Sequence, residues 1–537
     1  MIGRAVDVEI PRACVSDENQ KLPFCNTSLS TTERVEDLLA RLPLGEKAIL
    51  LTARASPRGN MTSIGLPEYN WGANCVHGVQ STCGTNCPTS FPNPVNMGAI
   101  FDPEAVREMA QVIGWEEALT SDWTAGHPTL TSTETLAGGA IPRHRLQEGK
   151  REDSRYLQAV VTLKHYIAYS YENYGGGNRK EFDAIVSPYD FADTYFPAFR
   201  SSIVDGNATG VMCSYNSING VPTCANNADS GAIEAISDRH HYVATRCEAA
   251  RIAILAGTDV NSGRLFGYMK CLPELVRSNQ LEEKALDDAL RHTLKLRFEL
   301  GLFDPIDDQP YWHVKPSDVN TPKSRQLALN LATKSIVLLQ NNNSVLPLRK
   351  GTKLAVLGPH AESKRGLLGN YLGQMCHGGY SEVGCIQTPM EAVSTTNGAA
   401  TSTYALGCNI SGNSTDGFEE TKVKVTQEAD AVVLFLGIDT SIEEEVNDRN
   451  DIKLPSIQMQ LLQRVRAVGK PTVVVLINGG VLGAEDLILQ TDALVEAFYP
   501  GFFGAQAMAD VLFGDANPNG KLPYEHDCDP RSFVSVL

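Results

Sequence analysis

Two acidic sites in this 537-residue chain have residue types that can do proton-transfer and nucleophilic chemistry. The first is the run GIDTSIEEEVNDRND, which places Glu443, Glu444 and Glu445 side by side. Most charge runs are solvated loops. Adjacent like charges nevertheless raise the pKa of whichever carboxyl is most buried, and a carboxyl that keeps its proton near neutrality is what a general acid requires. Asp448 and Arg449 follow closely enough to fix such a loop by charge-assisted contacts. The second site is Asp229, in CANNADSGAIEAI. From residue type alone it reads as the N-cap of the helix GAIEAI.

These groups need elements to position them. Near the start, SLSTTERVEDLLARL reads as a helix, with Ser30 and Glu33 in a capping box and Val35, Leu38, Leu39 and Leu42 on one face. Up to about residue 300, strand-like and helical runs alternate. AVVTLKHY (159–166) and GVMCSYN (210–216) read as buried strands ending in polar residues, while 247–257 and 281–301 read as helices. That alternation predicts parallel β/α architecture, whose chemistry sits at the C-terminal strand ends. Lys164, His165 and Ser214–Asn216 fall there. Residues 302–345 read as a linker ending in a short helix, LALNLATKSIVLL.

A second α/β domain is expected over 346–525, with strands at 353–361, 429–439, 471–480 and 493–501. Between two of them, SIQMQLLQRVRAVGKP reads as a helix with Ser456 as N-cap, Gly469 at its C-terminal cap and Pro471 as a stop. The turn GPHAES after the first strand lacks both dinucleotide and phosphate-loop glycine patterns.

Composition bounds the reading further. The formal charge of -17 disfavours nucleic-acid binding, and no apolar run is long enough to span a bilayer. Thirteen cysteines include the close pairs Cys83/Cys87, Cys213/Cys224 and Cys376/Cys385. Six N-x-S/T sequons stand at Asn26, Asn60, Asn207, Asn342, Asn409 and Asn413. Together they favour an oxidising, extracellular setting, although the first twenty residues show no apolar leader. No zinc-type cysteine pairing appears.

Several segments, in order and covering most of 22–525, carry a family resemblance: NCVHGV, LKHY, VMCSYNSINGVPTCANN, DSGAIEAI, AGTDVNSG, GNYLG, IEEEVNDR and NPNGKLPY. The chain resembles glycoside hydrolase family 3, in the branch of β-xylosidases and β-glucosidases. The resemblance implies a (β/α)8-type barrel over 22–301, here degenerate or incomplete, then an α/β/α sandwich. It implies a retaining exo-β-glycosidase that releases terminal β-D-xylose, or β-D-glucose, from oligosaccharides, without metal or cofactor. Such enzymes use a carboxylate nucleophile and an acid/base about 5–5.5 Å apart. Asp229 matches the nucleophile and Glu445 the acid/base. Lys164, His165, Tyr215, Met212 and Asn74 match sugar-binding positions, Asn74 with an amide where many relatives have a carboxylate. Val446 stands where the family's loop has glycine, so the loop is constrained if it needs positive φ.

Two stretches depart from the family. The usual helix and strand between CANN and the nucleophile are absent, since Asn227, Ala228 and Asp229 are consecutive. The stretch WTAGHPTLTSTETLAGGAIPRHR replaces a loop whose arginine clamps sugar hydroxyls. Read out of frame, codons 134–141 are compatible with DPRWGRNP, so 124–147 reads as a frame-shifted copy of that loop. Weak or no turnover is expected of the literal chain. The alternative reading is a non-catalytic sugar-binding relative.

Overall fold

A computed structural model describes residues 13–53, 63–66, 69, 71, 73–120, 129–134, 155–225, 231–262, 267–398, 402–423 and 429–524. The first half carries four parallel strands, in the order Ala73–Asn74, Thr129–Glu134, Val160–Tyr166 and Gly210–Cys213. A lone parallel bridge joins Thr52 to Asn261. The alternation of strands with helices gives the expected α/β architecture. Helices Ala232–Asp238, Arg246–Leu255, Gly267–Arg277 and Glu283–Glu299 bury one apolar cluster with the N-terminal helix Thr31–Arg41. That first helix starts as its sequence dictates. Ser30 Oγ accepts from Glu33 N, the Glu33 carboxylate accepts from Ser30 N, and Val35, Leu38 and Leu39 are buried. Its Arg34 turns inward to pair with Asp304 at 2.6 Å.

Asp229 lies outside the described residues. The helix after it begins at Ala232, with Gly231 at its N-cap position at φ 86.

The second half forms a six-stranded sheet ordered Ser402–Ala405, Leu354–Leu357, Ala431–Gly437, Thr472–Ile477, Ala493–Glu496 and Val337–Asn341. Only the last strand is antiparallel. Strands Ala431–Gly437 and Thr472–Ile477 are buried throughout, as parallel strands covered on both faces must be. Helices Pro322–Ser335, Pro389–Asn397 and Gly504–Leu512 cover one face, and Ser456–Arg466 the other.

Two local expectations change. The run 327–339 is not one helix. Thr321 caps a helix over Pro322–Ser335, and Ile336 is extended (φ -69, ψ 131) ahead of the edge strand. The β-branched pair Ile336 and Val337 suits a strand better than a helix terminus. Ser456 is the first helical residue rather than the cap, a place taken by Pro455. Gly469 has the left-handed φ of 76 expected after a helix.

Five disulfides join Cys14–Cys25, Cys83–Cys87, Cys213–Cys224, Cys247–Cys271 and Cys376–Cys385. Among the described residues, no helix is long and apolar enough to cross a membrane.

Buried titrating groups set a pH window. Burial pushes Glu117 up to about 7 and Glu496 up to about 8, from an ordinary 4.5. Their folded forms hold protons that the unfolded chain releases, so their contribution is lost as pH rises from 4.5 through those values. Burial lowers His360 from 6.5 to about 4, and burial with Lys164 and Arg179 lowers His165 to about 3. Those contributions are lost as pH falls below 6.5. The two pairs oppose each other between 4.5 and 6.5. The expected melting temperature, followed by calorimetry against pH, is therefore level in that interval and falls on both sides.

Candidate active site

The strand Val160–Tyr166 delivers Lys164 to the edge of a cavity of about 620 Å³ between the two sheets. Lys164 Nζ donates to Asn74 Oδ1 at 3.2 Å and lies 4.2 Å from the centre of the Tyr371 ring. Asn74, at the end of its own short strand, donates in turn to Gln80 Oε1 at 2.6 Å. His165 packs its ring 5.0 Å from that of Tyr169, and Tyr169 lies 6.0 Å from Tyr215. Arg179 and Lys180 each sit 5.4 Å from the Tyr215 ring centre. Met212 lies in the neighbouring strand Gly210–Cys213, partly buried. Asn74 and Glu445 line the cavity directly; Lys164, His165, Tyr215 and Met212 are not among the residues that line it.

The acidic loop leaves the C-terminal end of strand Ala431–Gly437. Glu445 accepts a hydrogen bond from Arg179 Nη1 and another, at 3.2 Å, from the Tyr371 hydroxyl. Partial burial pushes its carboxyl up, but the Arg179 hydrogen bond and charge, Tyr371 and Lys164 outweigh burial and hold it below its ordinary value. At Glu445, which is less buried than Glu443, crowding by its neighbours therefore does not raise the carboxyl. The neighbours that decide are Arg179 and Lys164, cations from the first half of the chain, with the Tyr371 hydroxyl.

Glu443 is drawn away from Glu445 by an ion pair with Arg449 at 2.6 Å. Asp448 Oδ2 accepts from Glu172 N at 2.9 Å and from Asn173 N at 2.7 Å. Asp448 and Arg449 thus both fix the loop, each through a different partner. Glu444 and Asn447 exchange backbone hydrogen bonds across the turn, and Val446 between them takes φ 69.

The frame-shift reading falls on 124–147, of which only 129–134 is described, as a strand. Residues 135–150 lie outside the described residues, as does Asp229. One group of possible metal ligands occurs among the described residues, Cys83, Cys87 and His377, and its two sulfurs are bonded to each other.

Residues 336–532 match the glycosyl hydrolase family 3 C-terminal domain. A probable exo-1,4-beta-xylosidase (bxlB) of Aspergillus terreus is 35% identical, over 95% of this chain and 71% of that protein. The chain belongs to glycoside hydrolase family 3. The exo-1,4-beta-xylosidase bxlB of Emericella nidulans is 33% identical over 98% of this chain and 73% of its own length. A solved GH3 exo-beta-xylosidase (XlnD), in complex with a xylobiose aziridine probe, superposes with TM-score 0.85 at 26% identity, over 95% of this chain and 70% of that one. A beta-glucosidase from Listeria innocua in complex with glucose shares the fold at TM-score 0.77 and 24% identity, over 92% of this chain and 76% of that one. The Aspergillus terreus alignment runs over 563 positions, more than the chain's 537, so that relative carries segments this chain lacks.

Several residues of this family 3 site escape sequence reasoning. Arg179 and Glu172 sit in an irregular loop without periodicity. Tyr371 is the centre of GNYLG, a motif that marks the family without marking the residue. Its loop reaches the first sheet because Gly373 allows close approach: a Cβ there would lie 2.2 Å from the Val79 carbonyl oxygen. His77 of NCVHG also fastens this loop, its Nε2 lying 2.7 Å from the Asn370 carbonyl.

The glycine missing at position 446 has a measurable consequence. A β-branched residue at positive φ is strained by about 1–2 kcal/mol. Val446→Gly is therefore expected to stabilise the folded chain by up to about 1 kcal/mol, after its entropic cost, read as a higher denaturant midpoint at unchanged slope.

Proposed function

We propose that this chain is a retaining exo-β-xylosidase acting on the non-reducing ends of xylo-oligosaccharides, with Glu445 as acid/base and Asp229 as nucleophile. One observation carries the reading. Glu445 and Asn74, from the two halves of the chain, line a single cavity, and Lys164 stands behind that wall, donating to Asn74 at 3.2 Å. Lys164, His165, Asn74, Tyr215 and Met212 are assigned to the subsite for the terminal sugar, within an incomplete (β/α)8-type barrel. Five disulfides support an extracellular location.

A second reading, a sugar binder without turnover, is favoured by the Arg179 ion pair that occupies Glu445 and by the altered 124–147 stretch. The same experiment separates the two. The full chain is incubated with 4-nitrophenyl β-D-xylopyranoside and with the β-D-glucopyranoside, and xylose binding is followed by calorimetry. Xyloside hydrolysis above that of a Glu445→Gln control supports the enzyme. Binding without hydrolysis supports the second reading, and neither signal removes both. Sequencing the transcript across codons 115–235 then decides whether the loop in this chain is the natural one.

A further inference from the structure

The acidic loop is gripped from across the cavity by one short segment, 172–179. Two straps run in opposite directions. Glu172 Oε2 accepts the Val446 N–H at 3.0 Å, and the backbone N–H groups of Glu172 and Asn173 both donate to Asp448 Oδ2. The segment is closed on itself, since Arg179 N donates to Glu172 O at 2.7 Å and Arg179 Nη1 to Glu172 Oε2 at 3.2 Å. The same guanidinium reaches Glu445.

The first strap falls on the peptide that links Glu445 to Val446. A hydrogen bond to that N–H fixes the plane of the peptide, and with it the direction in which the Glu445 side chain leaves the backbone. It does so at the one point of the loop where a non-glycine residue is held at φ 69. An unheld valine would relax toward negative φ and turn the peptide, carrying the Glu445 carboxyl with it.

We propose that Glu172 is a positioning residue for Glu445: through the Val446 N–H it sets where the proton-donating carboxyl points, and Asp448 provides the return strap. The proposal rests on the reading of Glu445 as acid/base. Glu172 is not among the residues that line the cavity. Its loss therefore acts through Glu445 alone, and in kcat/KM, which stops at the first bond-breaking step, it shows only where a poor leaving group needs the acid. A merely structural residue would lower turnover of every substrate alike.

The test uses the full chain and the variants Glu172→Ala, Glu172→Gln and Asp448→Ala, each assayed on xylobiose and on 2,4-dinitrophenyl β-D-xylopyranoside, whose leaving group needs no proton. Glu172→Ala is expected to lower kcat/KM on xylobiose at least about tenfold and on the dinitrophenyl xyloside less than about threefold. Glu172→Gln, whose amide oxygen still accepts the Val446 N–H, recovers much of the loss. In a Val446→Gly background the effect of Glu172→Ala shrinks, because glycine keeps the positive φ without strain and has less drive to turn the peptide. Equal losses on both substrates, or none on either, overturn the proposal. Should Glu172→Ala not fold, Asp448→Ala carries the same substrate comparison, and the same two outcomes support or overturn it.

If the wild-type chain hydrolyses neither substrate, the enzymatic reading fails and the clasp is judged by hydrogen exchange. Faster exchange confined to 443–450 in Glu172→Ala, with Glu172→Gln near wild type, supports positioning. Unchanged exchange there overturns it.

Discussion

Glu445→Gln is expected to lower kcat/KM on xylobiose by about 10²–10⁴-fold, the usual contribution of a positioned acid. With 2,4-dinitrophenyl β-D-xylopyranoside, kcat/KM changes little, because the first bond breaks without protonation. kcat falls instead, since the same residue activates water in the second step. Added azide restores that step, giving a xylosyl azide, because the anion needs no base. Glutamine keeps the Tyr371 hydrogen bond but removes the charge that Arg179 holds, so a general loss of structure is not part of the expectation. A pH profile adds an independent check. Glu445 lies below its ordinary value in the empty site, so the alkaline limb of kcat/KM falls on the acid side of an ordinary carboxylate. Uniform loss on both substrates would remove Glu445 from the acid/base role.

The largest expected loss of stability comes from Arg34→Ala. Arg34 is buried, with Nη2 2.6 Å from Asp304 Oδ1, Nε donating to the Phe24 carbonyl at 2.8 Å, and its guanidinium over the Phe298 ring. Asp304 also accepts from the Tyr156 hydroxyl at 2.9 Å. Truncation leaves the Asp304 carboxylate buried without its cation, at a cost of about 3–5 kcal/mol. For a domain the size of 22–301 that corresponds to roughly 5–8 °C in the melting temperature. Calorimetry of the full chain measures it. A shift under about 2 °C would show that the pair contributes little beyond replacing its own hydration.

Legibility follows how local the physics is. The capping box of Ser30 and Glu33 lies within four residues and is visible in the sequence. The four inner strands of the second sheet are visible where burial on both faces makes them continuous apolar runs. Lys164 and Glu445 stand out by motif. Their relation to each other does not, because the deciding partners of Glu445 are Arg179 and Tyr371, each from a distant loop with no periodic signal. Crowding of Glu443, Glu444 and Glu445 suggests a raised carboxyl, but sequence adjacency does not show that Arg449 takes Glu443 aside. The edge strand Val337–Asn341 hides inside a helical pattern because apolar spacing across 327–339 fits either state, and only Ile336 leaving the helical region separates them. At Val446 the reverse holds. A missing glycine raises the question of positive φ from sequence alone, and the backbone adopts it.

The disulfides are all short-range, with a sequence separation of at most 24, and none among the described residues crosses the stretch 302–345. The two sheets are instead joined by contacts such as His77 to Asn370, Asn93 to Leu368 and Asn96 to Ala497. A protease nick within 306–318 would thus yield two fragments that none of these five disulfides ties together. The cavity would then belong to a bimolecular complex, and its occupancy would fall on dilution as a heterodimer's does.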